Sequence, residues 1–386
     1  MLNNFLNIII IIFSILLSLG KLDPVFSIES SIKSVDIFFI IFCCFFYLLR
    51  FDDFIKAIFS KEFLCLFSIF ILFIFAQILY GYLDLIKPLF NLKFLLCSIF
   101  FVLLVEYFKK STSMIHYCLL SFSLSGFLYT LFILFLFPDS YQIIKGQMVV
   151  FDENPNSTSS RLTIALLYMI YFCIQNPLNW SKKRFFLIIA LPSLFAMIVM
   201  SGSRGSLLAL LIGSYLIFIF SNIKKSYKTI LTILSVFLSI FLFNYLLSSD
   251  DLSSRWEKAL EGDTAGRTDI WEAVFRIVYN NPLGVGETGY VENIIKLYGS
   301  YIDTHNIFLY ILVCGGVLSL MIFLIFLFNI FINCLRCYLI DKEILPLIFL
   351  LIMLFIAAKT GGVITFLLFW FILAIISSYR KLEIEK

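Results

Sequence analysis

The sequence predicts an all-α protein that crosses a bilayer about a dozen times. Composition is the first reason. Of 386 residues, 61% are hydrophobic and 14% charged, with a mean hydropathy of +1.02. Soluble domains are about 45–50% apolar and about 25% charged. A single soluble core stops growing near about 250–300 residues, so the excess has to face lipid. Run length is the second reason: apolar stretches of about 17–25 residues recur, as a helix needs to cross roughly 30 Å of hydrocarbon. The third is the lack of alternation. Strands of a membrane barrel alternate apolar and polar residues over about ten positions. Runs such as Ile8–Leu17 and Met321–Phe328 do not.

In chain order, spans are expected near 4–19, 35–49, 63–82, 88–108, 116–137, 161–175, 185–200, 205–220, 229–247, 305–333, 344–357 and 363–379. The first is read as a retained helix. No basic stretch precedes it, and Ser18-Leu19-Gly20 is a poor small-x-small cleavage signal. The 47 Phe residues suit a lipid-facing surface and carry no functional reading. No internal repeat or low-complexity linker divides the chain, so 1–386 is expected to be one domain.

Basic residues in short connections set the orientation. One set of connections holds sixteen: Arg50, Lys56 and Lys61; Lys109 and Lys110; Lys182, Lys183 and Arg184; Lys224, Lys225 and Lys228; Arg336 and Lys342; and Arg380, Lys381 and Lys386. The short connections of the other face hold eight. Both termini are therefore expected in the cytoplasm. One large loop, 248–304, then faces outward, with ten acidic residues against five basic ones. A second outward segment, 138–160, contains Asp152-Glu153-Asn154-Pro155-Asn156 and is read as a solvated loop.

Several classes are disfavoured. The net charge of +4 is dispersed over small loops and forms no nucleic-acid patch. All nine Cys lie in or beside apolar segments, so a disulfide framework is not expected, and Cys334-Leu-Arg-Cys337 is read as structural. Gly284-Val-Gly-Glu-Thr-Gly289 is a literal GxGxxG. It follows Asn280-Asn281-Pro282 rather than a strand, so it is read as a tight turn, not a dinucleotide site. No GxxxxGK[ST] and no DxD occurs. The sequons at Asn156 and Asn179 are short enough to arise by chance.

Four positions carry candidate chemistry. His116 opens the fifth span and is read as an interfacial bystander. His305, followed by Asn306, stands where the large loop re-enters the membrane. A neutral imidazole there can take a proton from a hydroxyl near pH 7; the alternative is a plain helix-start residue. Arg204, in Ser201-Gly-Ser-Arg-Gly205, sits at the start of a span. A charge at membrane depth costs at least about 2.5–3.5 kcal/mol, and a helix start favours an anion. Arg267, in Gly266-Arg-Thr-Asp-Ile-Trp271, has acidic neighbours in Asp263 and Asp269.

Taken together these blocks resemble a known superfamily. Ser-Gly-Ser-Arg-Gly-Ser at 201–206, Gly-Arg-x-x-x-Trp at 266–271, Asn-Pro-Leu-Gly-Val-Gly at 281–286 and His-Asn-Ile-Phe-Leu-Tyr-x-x-x-x-Gly-Gly at 305–316 look like those of the O-antigen ligase/Wzy-type polymerase superfamily. The resemblance covers roughly 150–320 and includes Asn154-Pro-Asn156. It implies a multi-pass enzyme of the bacterial inner membrane with a periplasmic site. Its donor would be an undecaprenyl-pyrophosphate-linked oligosaccharide, joined by inverting transfer to an acceptor glycan. A donor that carries its own leaving group needs neither metal nor cofactor. By the same resemblance Arg204 and Arg267 would bind the pyrophosphate, His305 would serve the acceptor hydroxyl as base or orienter, and Arg161 and Asn306 would add substrate contacts. A chain-length regulator is a further candidate partner. Two acceptors stay open: a second lipid-linked repeat, for a polymerase, or lipid A-core, for a ligase. The ligase form of the His block continues as Gly-x-x-Gly, whereas Gly316-Val-Leu-Ser319 ends in Ser, and 248–304 is short for a ligase loop. Polymerase is therefore the first expectation. A lipid-linked-oligosaccharide transporter is the third class, disfavoured because charges at mid-span are almost absent.

Overall fold

In the computed structural model, every predicted apolar run within the described residues forms helix. The structure describes residues 2–22, 33–81, 89–144, 146–175, 180–221, 266–360 and 362–379. The expected span 229–247, the first part of the large loop (248–265) and the basic tail 380–386 lie outside them. The helices are α1 (Leu2–Leu19), α2 (Ser34–Leu49), α3 (Phe51–Ile58), α4 (Lys61–Leu79), α5 (Leu89–Lys110) and α6 (Ser113–Leu131). They continue with α7 (Pro155–Gln175), α8 (Trp180–Met200), α9 (Arg204–Phe220), α10 (Arg267–Asn280) and α11 (Gly286–Tyr298). The last three are α12 (Ile307–Asp341), α13 (Leu345–Ala357) and α14 (Leu367–Ser378).

Four of these are long and apolar enough to cross a membrane, or five if α2 and α3, bent by 112°, count as one span. The twelve expected spans go beyond that number, because several of the apolar helices are only 10–17 residues long. Only 33% of the apolar window of α4 is buried within the protein. An apolar helix so little covered by its own chain has lipid as its remaining partner.

Two compact units emerge: Met1–Asn7 with Phe39–Ile115 and Ala265–Lys386, and Ile8–Phe38 with His116–Thr264. In the first, α4 packs along α12, and α5 along α14. Trp370 is fully buried at its centre, with the rings of Phe94, Phe101, Phe326 and Phe369 at centroid distances of 5.3–6.5 Å. Its indole N–H donates to the Ile364 carbonyl at 2.8 Å, which satisfies the one polar atom in that cluster. The connection after α2 contains helix α3, and Asp53 of that helix, nearly buried, accepts two bonds of 2.6 and 2.7 Å from Lys110 at the end of α5.

In the second unit α7 packs against α8, α9 and a β-hairpin. The hairpin, β1 (Tyr141–Ile144) and β2 (Gln147–Val150), pairs Tyr141 with Val150 and Ile144 with Gln147. It is an exception to the all-α expectation. Ile143, Ile144, Val149 and Val150 are β-branched residues suited to a pleated surface. Gly146 supplies a φ of +70° in the turn.

Candidate functional site

His305 lies in the segment 301–306, which leads into α12 in the first unit. Three neighbouring elements hold that segment through its carbonyls and its one carboxylate. From α10, the Trp271 indole N–H donates to the Thr304 carbonyl at 3.0 Å. From α11, the Tyr290 hydroxyl donates to the Ile302 carbonyl at 2.7 Å. From the turn before α14, the Gly362 N–H donates to Asp303 Oδ2 at 3.1 Å. The two loop helices are also tied to each other, since the Tyr298 hydroxyl donates to the Asp269 carbonyl at 2.9 Å.

Within the segment each polar residue has a definite task. Asn306 is the N-cap of α12, its Oδ1 accepting from Phe308 N–H at 2.9 Å and Leu309 N–H at 3.2 Å. Such a cap is worth about 0.5–2 kcal/mol. The Asn306 amide oxygen, a candidate substrate contact, is thus engaged by its own helix. Thr304, fully buried, donates to the Asn306 carbonyl at 2.9 Å. His305 adopts φ +51°, the left-handed region, and its N–H donates to Asp303 Oδ1 at 2.6 Å. Tyr301 hydrogen-bonds to Asp303, and burial together with that carboxylate pushes its phenol up, so it stays a donor.

The His305 ring is half-buried. Burial lowers its pKa, the Asp303 charge raises it, and the Arg267 charge lowers it; the net direction is below the ordinary imidazole value. The ring is consequently neutral at pH 7, the form that can accept a proton. Arg267 is the first residue of α10, entered through Gly266 at φ +75°. The Gly-Arg-x-x-x-Trp spacing has a simple meaning. Residues i and i+4 share a helix face, so Trp271 fixes the loop beside His305 while Arg267 brings its charge to it. The structure therefore brings together Arg267, His305 and Asn306.

The two glycine blocks also meet. Val285 N–H donates to the Val313 carbonyl at 2.9 Å, and Val317 N–H donates to the Pro282 carbonyl at 3.1 Å. Gly316 breaks α12 with φ +72° and ψ −174°. A Cβ on Gly316 would collide with the Leu283 backbone, and one on Gly284 (φ +83°) with the backbone of Cys314 and Gly316. The literal GxGxxG is thus a turn docked backbone-to-backbone on a kinked helix.

Arg204 and Arg161 belong to the second unit. Arg204 is the first residue of α9, and Ser203 is its N-cap residue. The serines around it point inward: Ser201 Oγ donates to the Ile198 carbonyl at 2.6 Å, Ser203 Oγ to Ser206 Oγ at 3.1 Å, and Ser206 Oγ lies 2.8 Å from Ser159 Oγ on α7. Their bonds pin the turn and leave the half-buried Arg204 at the first position of a helix. Arg161 stands differently. It is 2% exposed, and both its terminal nitrogens pair with Glu153 while Nε donates to the Ser18 carbonyl at 3.3 Å. The guanidinium that the resemblance offers to a pyrophosphate is engaged by a carboxylate. Glu153, expected in a solvated loop, is 8% exposed, because the hairpin folds it back onto α7.

Sequence reasoning passed over Asp303, Tyr301, Trp271 as an anchor and Gly362. Only Trp271 left a signal, its place in the Gly-Arg-x-x-x-Trp block. Comparison with curated proteins gives no match. Residues 185–324, which contain Arg204, Arg267 and His305, match the family model Wzy_C, O-antigen ligase. That family consists of membrane glycosyltransferase-like enzymes. The matched stretch is 140 of the 386 residues, and over it the chain is similar to the O-antigen ligase family.

Proposed function

We propose that the chain is a surface-polysaccharide polymerase of the bacterial inner membrane, with both termini cytoplasmic and the loop 248–304 periplasmic. It joins repeat units carried on undecaprenyl pyrophosphate. The observation that carries the reading is the placement of His305, half-buried, its main chain held by Asp303 and its neighbour Thr304 by Trp271, within the field of Arg267.

The reaction balances on these groups. A sugar hydroxyl of the acceptor attacks the anomeric carbon of the donor, forming a new C–O bond with inversion. The hydroxyl proton passes to a ring nitrogen of His305. The anomeric C–O bond to the lipid pyrophosphate breaks, and the electron pair leaves with the phosphate oxygen. Arg267 supplies a cationic hydrogen-bond donor for the negative charge developing there, as a planar guanidinium does well for phosphate oxygens. The acceptor hydroxyl decides between polymerase and ligase, and Ser319 in place of the second glycine favours polymerase.

Deletion of the gene tests the choice. Loss of a polymerase leaves ligation intact, so surface lipid should carry a single repeat unit. Bare core with long polymer accumulated on undecaprenyl pyrophosphate would instead identify a ligase.

A further inference from the structure

We infer that Asp303 is the positioning residue for His305: its carboxylate fixes the His305 main chain and ties it to the turn before α14. The inference rests on the reading that His305 serves the acceptor hydroxyl.

The geometry is that of a clamp with three donors. Oδ1 accepts the His305 N–H at 2.6 Å, two residues on, as in an Asx-turn. Oδ2 accepts the Gly362 N–H at 3.1 Å, fifty-nine residues away in the chain. The Tyr301 hydroxyl is the third donor. A left-handed conformation costs an L-residue about 1–2 kcal/mol, and His305 at φ +51° is held there by the first of these bonds. Gly362 is itself left-handed, at φ +67°. The carboxylate therefore joins the left-handed turn at His305 to the glycine turn at Gly362. Its oxygens are occupied by these donors, so it acts through His305 rather than on the substrate.

Charge gives Asp303 a second effect on the same ring. Among the described residues, two charged groups act on His305: Asp303 from its own segment, which raises its pKa, and Arg267 from α10, which lowers it. Removing the carboxylate leaves burial and Arg267 unopposed. The imidazole then stays neutral to lower pH. A base that must be neutral to act should accordingly keep its activity further into acid when Asp303 is neutralised.

The test uses inner-membrane vesicles carrying the full chain and lipid-linked repeat units extracted from the same cells. Transfer is measured against pH for wild type, Asp303→Asn, Asp303→Ser and His305→Ala. Serine keeps an acceptor for the His305 N–H while removing the charge. Both Asp303 variants should accumulate normally and lose about ten- to a hundredfold in kcat at pH 7. KM for the lipid-linked donor should stay near wild type, and the acid limb should move to lower pH. A wild-type rate, or a rate loss with an unmoved acid limb, would overturn the assignment while inactive His305→Ala left the base reading standing. Failure of both variants to accumulate also counts against it, since a positioning residue of one loop is dispensable for insertion. A fully active His305→Ala would remove the reading on which it rests.

Discussion

Two carboxylates show how differently a residue's role is written in sequence and in space. Glu153 follows Asp152 in a polar stretch and reads as solvated, yet it is buried against Arg161, with Thr158 donating to its Oε2 at 3.0 Å. Asp303 stands two residues from His305, but the Gly362 N–H that completes its clamp is invisible in the local sequence. Arg204 was legible because its signal is local: Ser-Gly-Ser before an apolar run marks a helix start, and α9 begins there. Breaking a buried pair by removing one partner costs about 3–5 kcal/mol, because the other charge is left buried and unpaired. Glu153→Ala should therefore lower the thermal midpoint of the detergent-purified protein markedly. The double change Glu153→Leu with Arg161→Met should recover most of the loss. An unchanged midpoint in Glu153→Ala would mean that the pair does not lock α7 to the segment that follows β2.

At the scale of elements the apolar runs sufficed to place helices, since α1, α2, α4 to α9 and α12 to α14 each overlap a predicted run, with ends that differ by up to eight residues. What they could not give was anything set by long-range packing. The β-hairpin lies against α7 through β2, and Asp53 of α3, past the bend after α2, accepts a bond from Lys110. The kink in α12 was equally hidden. Gly315-Gly316 reads as a small-residue step within a span, and only the docked turn at 281–286 explains the positive φ at Gly316. Gly316→Ala should be costly on two counts, about 1–3 kcal/mol for the backbone strain and about 1–3 kcal/mol for overpacking against Leu283. Protein yield and thermal midpoint should both fall. Ala at Gly299, whose φ is also positive but whose surroundings are open, should cost only the strain. Equal effects at the two sites would show that the docked turn contributes nothing.

For the whole molecule, composition made the membrane class legible, and among the described residues four to five helices meet the length and apolarity of a span. Orientation rests on sixteen basic residues against eight in short connections. A C-terminal reporter should accordingly be active in the cytoplasm. A Cys introduced at Gly262 should react with an impermeant thiol reagent in intact spheroplasts; labelling only after lysis would reverse the orientation.

The central claim is the proposal that Arg267 and His305 carry glycan transfer from a lipid pyrophosphate; a requirement for Arg204 is a separate expectation from the sequence. The most direct measurement is elongation of lipid-linked repeat units in membrane vesicles containing wild type or the Arg204→Ala, Arg267→Ala or His305→Ala variant at equal protein level. Loss of one preorganised charge-stabilising group costs about 10²–10³ in rate, so each arginine variant should fall by that order. Arg204→Lys should recover only part, because an ammonium lacks the two-pronged geometry of a guanidinium. His305→Ala should lose about 10²–10⁴, the usual contribution of proton transfer. Polymer formed at the wild-type rate by Arg204→Ala would remove that separate expectation, and by Arg267→Ala and His305→Ala together would contradict the account.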